Sequence, residues 1–74
     1  MKIIRLREGK ERSLLRKHPW VVLGNVDKGK ADPGETVRVE SQSGRFLAWA
    51  AFSPNSTIRL RAWSFDEAEG METE

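Results

Sequence analysis

The sequence contains no cysteine, one histidine and no long hydrophobic run. The absence of cysteine excludes disulfides, thiolate zinc sites and thiol nucleophiles. A lone histidine also leaves too few imidazoles for a metal cage. The apolar runs fall far short of the ~20 residues that a membrane-spanning helix needs, and the first residues do not form the apolar segment of a signal peptide. We therefore predict a cytoplasmic protein with no metal site and no membrane partner.

The basic charge of the chain is unevenly distributed. All 13 lysines and arginines lie before residue 66, where only 6 acids occur, so residues 1–65 carry a formal charge of +7. Residues 66–74 contain five acids and no base. We divide the chain into a basic domain, 1–65, and an acidic tail or start of a linker, 66–74, which is expected to be frayed. The basic domain favours a polyanionic partner, and a solvated surface with a compensating tail is the alternative.

Short strand-like segments separated by turn residues make up most of the chain. One segment of good helix formers follows the first strand and ends before Pro19. Phe46 to Phe52 is apolar on both faces, which indicates the central strand. The polar stretch 27–34 is predicted to be a loop. The pattern predicts a mainly β (α+β) domain with a small barrel-like sheet. The predicted strands are 2–7, 20–23, 36–40, 46–52 and 57–65, and the helix is 10–17.

No catalytic constellation is recognisable in these residues. The sequence lacks a phosphate-binding glycine loop, and the acids before residue 66 are isolated among bases. His18 lies between the predicted helix end and a proline, where a capping or hydrogen-bonded role is more common than general-base catalysis. We predict no catalytic residue, so this chain alone is not expected to be an enzyme.

Basic and aromatic residues combine in the last predicted strand. Arg59, Arg61 and Trp63 alternate, so an extended strand would place them in a row at about 7 Å intervals, close to the spacing of nucleic-acid phosphates. For Trp63 the preferred alternative is a place in a second small core. Arg61 could likewise be structural, with a buried stem or a partner in Glu40.

A second basic group surrounds the predicted helix end and the following loop. These residues could contact phosphates, or they could be ordinary solvated side chains. The predicted RNA-binding residues from both groups are Arg16, Lys17, His18, Lys28, Lys30, Arg59 and Arg61.

Four blocks of the sequence occur in the order and spacing of a known family. The most specific block, Ala51 to Phe65, combines an aromatic residue, Ser-Pro, Ser-x-Ile and alternating arginines. The other three are His18-Pro19-Trp20-Val21, Gly34-Glu35-Thr36-Val37-Arg38-Val39 and Gly44-Arg45-Phe46-Leu47-Ala48. Over residues 3–65 the chain resembles the N-terminal PUA domain of the bacterial ribosomal RNA large-subunit methyltransferase I family.

The resemblance implies a PUA-like pseudo-barrel of about five to six mixed strands with one short helix after the first strand. It also implies binding of structured RNA, with large-subunit (23S) ribosomal RNA as the expected target. In that family a methyltransferase domain follows, uses S-adenosylmethionine and modifies a cytosine at carbon 5. We therefore expect no cofactor in this chain and S-adenosylmethionine in a full-length enzyme. The alternative is a module that packs against its own methyltransferase domain through the face of Trp49 or Trp63 and has little RNA affinity.

Overall fold

The computed structural model describes residues 2–68, which form a single mixed sheet with one short helix. The six strands lie in the order β2-β6-β5-β4-β1-β3. In chain order the elements are β1 Ile3–Leu6, α1 Arg12–Leu15, β2 Trp20–Val22, a 3-10 turn Leu23–Asn25, β3 Val26–Lys28, β4 Thr36–Glu40, β5 Phe46–Phe52 and β6 Ile58–Ser64.

The sheet curls into a half-barrel around an aliphatic core. β1 pairs in parallel with β4, and the other strand pairs are antiparallel. Alternate residues of β1 and β4 point into the core, as the period of two requires. Each fully buried Val, Leu or Ile side chain contributes about 1.5–3 kcal/mol through removal of apolar surface from water. The core residues with no exposed surface include Ile4, Leu6, Val37, Val39, Ala48 and Leu60. This architecture confirms the predicted mainly β pseudo-barrel with a helix after the first strand.

The segment predicted to be a loop at 27–34 begins with an edge strand. Arg5 pairs with Lys28 and Leu6 with Val26 in antiparallel β1–β3 contacts. Gly29 follows with a φ of +115°, and a Cβ at this position would lie 2.5 Å from the carbonyl oxygen of Ile3. The chain can therefore turn closely over β1 only with glycine at this position.

Residues 66–68 are anchored to the outer face of the sheet. Trp49 is only 3% exposed, and its indole Nε1 donates to the carbonyl oxygens of Asp66 and Glu67, both at 3.1 Å. The Glu67 carboxylate also lies 2.7 Å from Nη1 of Arg38. We call this arrangement the C-terminal latch. It differs from the expectation that fraying begins at residue 66, and residues 69–74 of the predicted tail lie outside the described residues.

Candidate functional site

The helix ends in a backbone arrangement that presents basic side chains to solvent. The N–H of Lys17 donates to the carbonyl of Leu14 and the N–H of His18 to that of Ser13, which is the hydrogen-bond pattern of a Schellman motif. Lys17 has a φ of +67°, a conformation that glycine usually supplies and that costs other residues roughly 1–2 kcal/mol. The tight end explains why α1 stops at Leu15, short of the predicted residue 17.

An exposed tryptophan lies beside this helix end. Trp20 of β2 is 51% exposed and is paired with Arg61 of β6, so the two side chains share a face of the sheet. The rings of His18 and Trp20 meet edge to face with centroids 6.2 Å apart. Lys17 places its Nζ 4.8 Å from the ring centroid of Phe65. We call the group formed by Arg16, Lys17, His18, Trp20 and Arg61 the helix-exit surface.

The cations of the helix-exit surface have no acidic partner among residues 2–68. The ion pairs of this part of the chain join Lys2, Arg5 and Arg38 to the acids Glu35, Glu40 and Glu67. The alternative in which Arg61 pairs with Glu40 is wrong. Nε of Arg38 lies 2.6 Å and Nε of Arg5 3.5 Å from the Glu40 carboxylate, which is therefore already compensated.

Two pKa shifts reflect the contacts that Glu35 and Glu40 make away from the helix-exit surface. The hydrogen bond to Glu40 raises the pKa of the Arg38 guanidinium above its usual value. The backbone N–H of Asp32 lowers the pKa of the Glu35 carboxyl, and Lys2 adds to the effect. Glu35 and Glu40 are thus paired with Lys2, Arg5 and Arg38 and not with the cations of the helix-exit surface.

The predicted row of Arg59, Arg61 and Trp63 is interrupted by two register shifts of β6. Val21 pairs with Leu60 but Val22 with Ile58, so Arg59 is the extra residue of a bulge between β2 and β6. A second register shift occurs between β5 and β6. Trp49 pairs with Ser64 and Ala50 with Ala62, so Trp63 has no partner residue on β5. The placement of Trp63 in a small core is also wrong, because its side chain is 45% exposed.

Arg59 lines a cavity together with residues of β3 and the segment after it. This cavity has a volume of about 390 Å³. Arg59 is half-buried, and its Nε is covered from water without a hydrogen-bond partner. The walls are Leu23, Val26, Asp27, Gly29, Lys30, Ala31, Phe52, Pro54 and Arg59.

The seven predicted binding residues therefore occupy different places. Four belong to the helix-exit surface, namely Arg16, Lys17, His18 and Arg61. Lys30 and Arg59 line the cavity. The exposed Lys28 lies on β3 opposite Arg5; it follows Asp27 and precedes Gly29 of the cavity wall but does not itself line the cavity.

Sequence reasoning missed Trp20 and Leu23 as site residues. The alternation of Trp20 and Val22 around Val21 carried a signal, because one of the two faces of this short strand had to be exposed. Leu23 had no comparable signal, since only the curl of the sheet brings it to the cavity. Among residues 2–68 no group of three or more His, Cys, Asp or Glu side chains could hold a metal ion. No helix of this part is both long and apolar enough to span a membrane.

A small curled mixed sheet with a short helix after its first strand is the architecture of PUA-like domains. The chain belongs to this family, since the profile of the PUA-like domain matches residues 4–65. It is also similar to proteins called ribosomal RNA large subunit methyltransferase I. Identity is 49% with that of Salmonella arizonae, 49% with that of Citrobacter koseri and 51% with that of Erwinia tasmaniensis, each over 69 residues. These matches cover 90% of this chain and 17% of each relative. The resemblance inferred from the sequence blocks is thus confirmed.

Proposed function

We propose that this chain is an RNA-binding PUA domain and that the helix-exit surface contacts structured RNA. The observation that carries the proposal is an exposed tryptophan beside cations that have no acidic partner among residues 2–68. Cations supply the salt-dependent affinity for phosphates, and an exposed aromatic ring supplies a stacking surface for an unpaired base. The strained backbone of Lys17 also supports a functional role, because such strain is retained where a side chain must be presented.

We further propose that the domain recognises substrate for a large-subunit ribosomal RNA methyltransferase in the cytoplasm. The names of the relatives support this assignment, and the relatives are far longer than this chain, which spans 17% of each. S-adenosylmethionine and cytosine carbon 5 chemistry would belong to the remainder of such an enzyme. The role of residues 2–68 would be to hold RNA through shape and backbone contacts, which suits a nucleic acid whose deep major groove excludes side chains.

A glycine substitution at Lys17 tests the proposal with two opposed readouts. Lys17→Gly removes the strain of the left-handed conformation but also the contact of Lys17 with the Phe65 ring, so the free energy of unfolding should rise by roughly 0.5 kcal/mol. The same change removes one phosphate-contacting charge, so binding to a ribosomal RNA hairpin should weaken. The slope of log affinity against log salt should become shallower by about 0.7–0.9. Thermal melts and binding isotherms at several salt concentrations measure both.

Arg61→Glu and Arg45→Glu form a matched pair for the same assay. Both arginines are exposed and have no ion-pair partner in the described chain. Arg61 pairs with Ala51, whereas Arg45 precedes β5, roughly 20 Å away along the strand. We expect Arg61→Glu to weaken RNA binding at least tenfold and Arg45→Glu to have a much smaller effect, with both melting temperatures nearly unchanged. Equal losses for the two variants would show that only net charge matters and would contradict the helix-exit surface.

Packing against a following domain is a second candidate function, and one observation favours it. Trp63 remains 45% exposed on β6, and an exposed tryptophan offers a large apolar contact area to a neighbouring domain. Trp49 no longer supports this alternative, because the C-terminal latch covers it. If Trp63→Ser leaves RNA binding by this chain unchanged but weakens binding by a full-length protein, the packing role is supported.

A further inference from the structure

The cavity beside Arg59 has the composition of a ligand pocket. Its volume of about 390 Å³ lies near the lower end of the range of small-molecule sites, ~300–1,000 Å³. Leu23, Phe52 and Pro54 provide apolar and aromatic walls, while Arg59 and Lys30 provide positive charge. The space therefore suits one ring system that carries an anionic group.

The guanidinium of Arg59 forms no ion pair with the described residues. Three arginines of residues 2–68 are half-buried, namely Arg5, Arg38 and Arg59. The first two form ion pairs with Glu40, whereas Arg59 has no ion pair and its buried Nε has no acceptor. Buried donors are almost always paired, and an unmet donor costs roughly 1–3 kcal/mol. Because Nε is covered from solvent, an anion in the cavity would meet the part of the Arg59 side chain that lines it.

The carboxylate in the cavity wall does not supply that acceptor. Asp27 lies in the wall, but its Oδ2 accepts a hydrogen bond of 2.6 Å from Nε2 of Gln42. No ion pair joins Asp27 to Lys30 or Arg59 among the described residues. The formal charge of the wall is thus +1, with the two cations free to meet an external anion.

We propose that this cavity binds a single unpaired nucleotide, with the base against Pro54 and Leu23 and the phosphate at Arg59 and Lys30. The proposal rests on the proposed RNA-binding function and specifies the substrate class, because a base inside a duplex cannot enter a pocket of this size. An anionic peptide could use the same cations. The nucleotide is favoured because the helix-exit surface already provides cations and an exposed aromatic ring.

Two RNA hairpins, identical except that one carries a single bulged nucleotide, test the proposal on the 74-residue chain. We expect the wild-type chain to prefer the bulged hairpin by about tenfold, the effect of one charge-assisted contact. Arg59→Gln should abolish this preference and leave the paired hairpin bound as before. Arg45→Gln, which changes an exposed arginine of the β4–β5 hairpin, should keep the preference.

A second variant keeps the test decisive if Arg59→Gln fails to fold. Leu23→Glu places a carboxylate at the cavity mouth on a side chain that is already 48% exposed, so it should remove the preference without unfolding the chain. Retention of the preference by a folded variant of either kind would overturn the proposal. Stronger binding of an acidic peptide than of the bulged hairpin at this cavity would also overturn it.

Mononucleotide binding separates failure of the pocket from failure of the proposed function. Cytidine 5′-monophosphate should shift the amide resonances of Gly29 and Ala31, and inorganic phosphate should do so only at higher concentration, because it lacks the base. Equal effects of the two probes would show an adventitious anion site and overturn the nucleotide pocket. If neither hairpin binds but the mononucleotide still binds, the RNA-binding function fails while the pocket stands.

Discussion

Removal of residues 66–68 should destabilise the domain, although these residues follow the last strand of the sheet. The relevant comparison is between chains 1–65 and 1–68, since they differ only by the residues of the C-terminal latch. The shorter chain loses both carbonyl acceptors of the Trp49 indole. It also loses the carboxylate that pairs with Arg38.

The magnitude follows from the observed contacts. The shared indole hydrogen bond contributes about 0.5–1.5 kcal/mol. The pair between Arg38 and Glu67 adds about 0.2–1 kcal/mol, because the Glu67 side chain is 55% exposed and largely solvated. For a domain of this size, each kcal/mol corresponds to about 4–8 °C in melting temperature. We therefore expect chain 1–65 to melt about 5–15 °C below chain 1–68, as followed by circular dichroism.

Two controls assign the loss to its cause. Asp66→Asn combined with Glu67→Gln in chain 1–68 removes the charges and keeps the carbonyl acceptors, so it should cause less than half of the decrease. Trp49→Phe should cost about 1 kcal/mol more in chain 1–68 than in chain 1–65, because the two changes remove the same hydrogen bond. A difference below about 2 °C between chains 1–65 and 1–68 would refute the latch as a source of stability.

Two further predictions concern the backbone and the core. Gly29→Ala should lower the free energy of unfolding by at least about 2 kcal/mol, because the added Cβ would lie 2.5 Å from the carbonyl oxygen of Ile3 at a positive φ. Gly9 also has a positive φ but has open space around it, so Gly9→Ala should lower the free energy of unfolding clearly less in urea melts. Phe52→Ala should cost about 3–5 kcal/mol because the ring is 4% exposed. Phe46→Ala should cost less because that ring is half-buried, and the opposite order in urea melts would show that the core is assigned to the wrong residues.

The sequence predicted the elements whose pattern has a local cause. Val37 and Val39 alternate with polar residues and form β4, and the apolar residues on both sides of Phe46–Phe52 form the central strand β5. β3 was missed because Val26–Lys28 is short and has a single apolar residue, so its strand conformation depends on pairing with β1. Local propensity contains no information about such a partner.

The candidate site was predicted less completely because bulges and curvature have no side-chain signature. The alternation of Arg59 and Arg61 was read correctly, but a bulge against β2 separates the environments of the two side chains. The exposure of Trp63 follows from a second register shift, against β5. The cavity itself needs the curl of the sheet, which brings Lys30 close to Arg59 from a distant part of the chain.

The strand order has a consequence for how the domain folds during synthesis. β2 is among the first strands made, yet its ladder partner is β6, the last strand. Val21 therefore has no strand partner during synthesis until Leu60 has been added to the chain. Nonlocal pairings of this kind slow folding, because loop closure precedes the gain from the contacts. A nascent chain that stops before residue 58 would expose both the edge of β5 and the apolar side chains of β2, which makes unfinished chains of this domain prone to association.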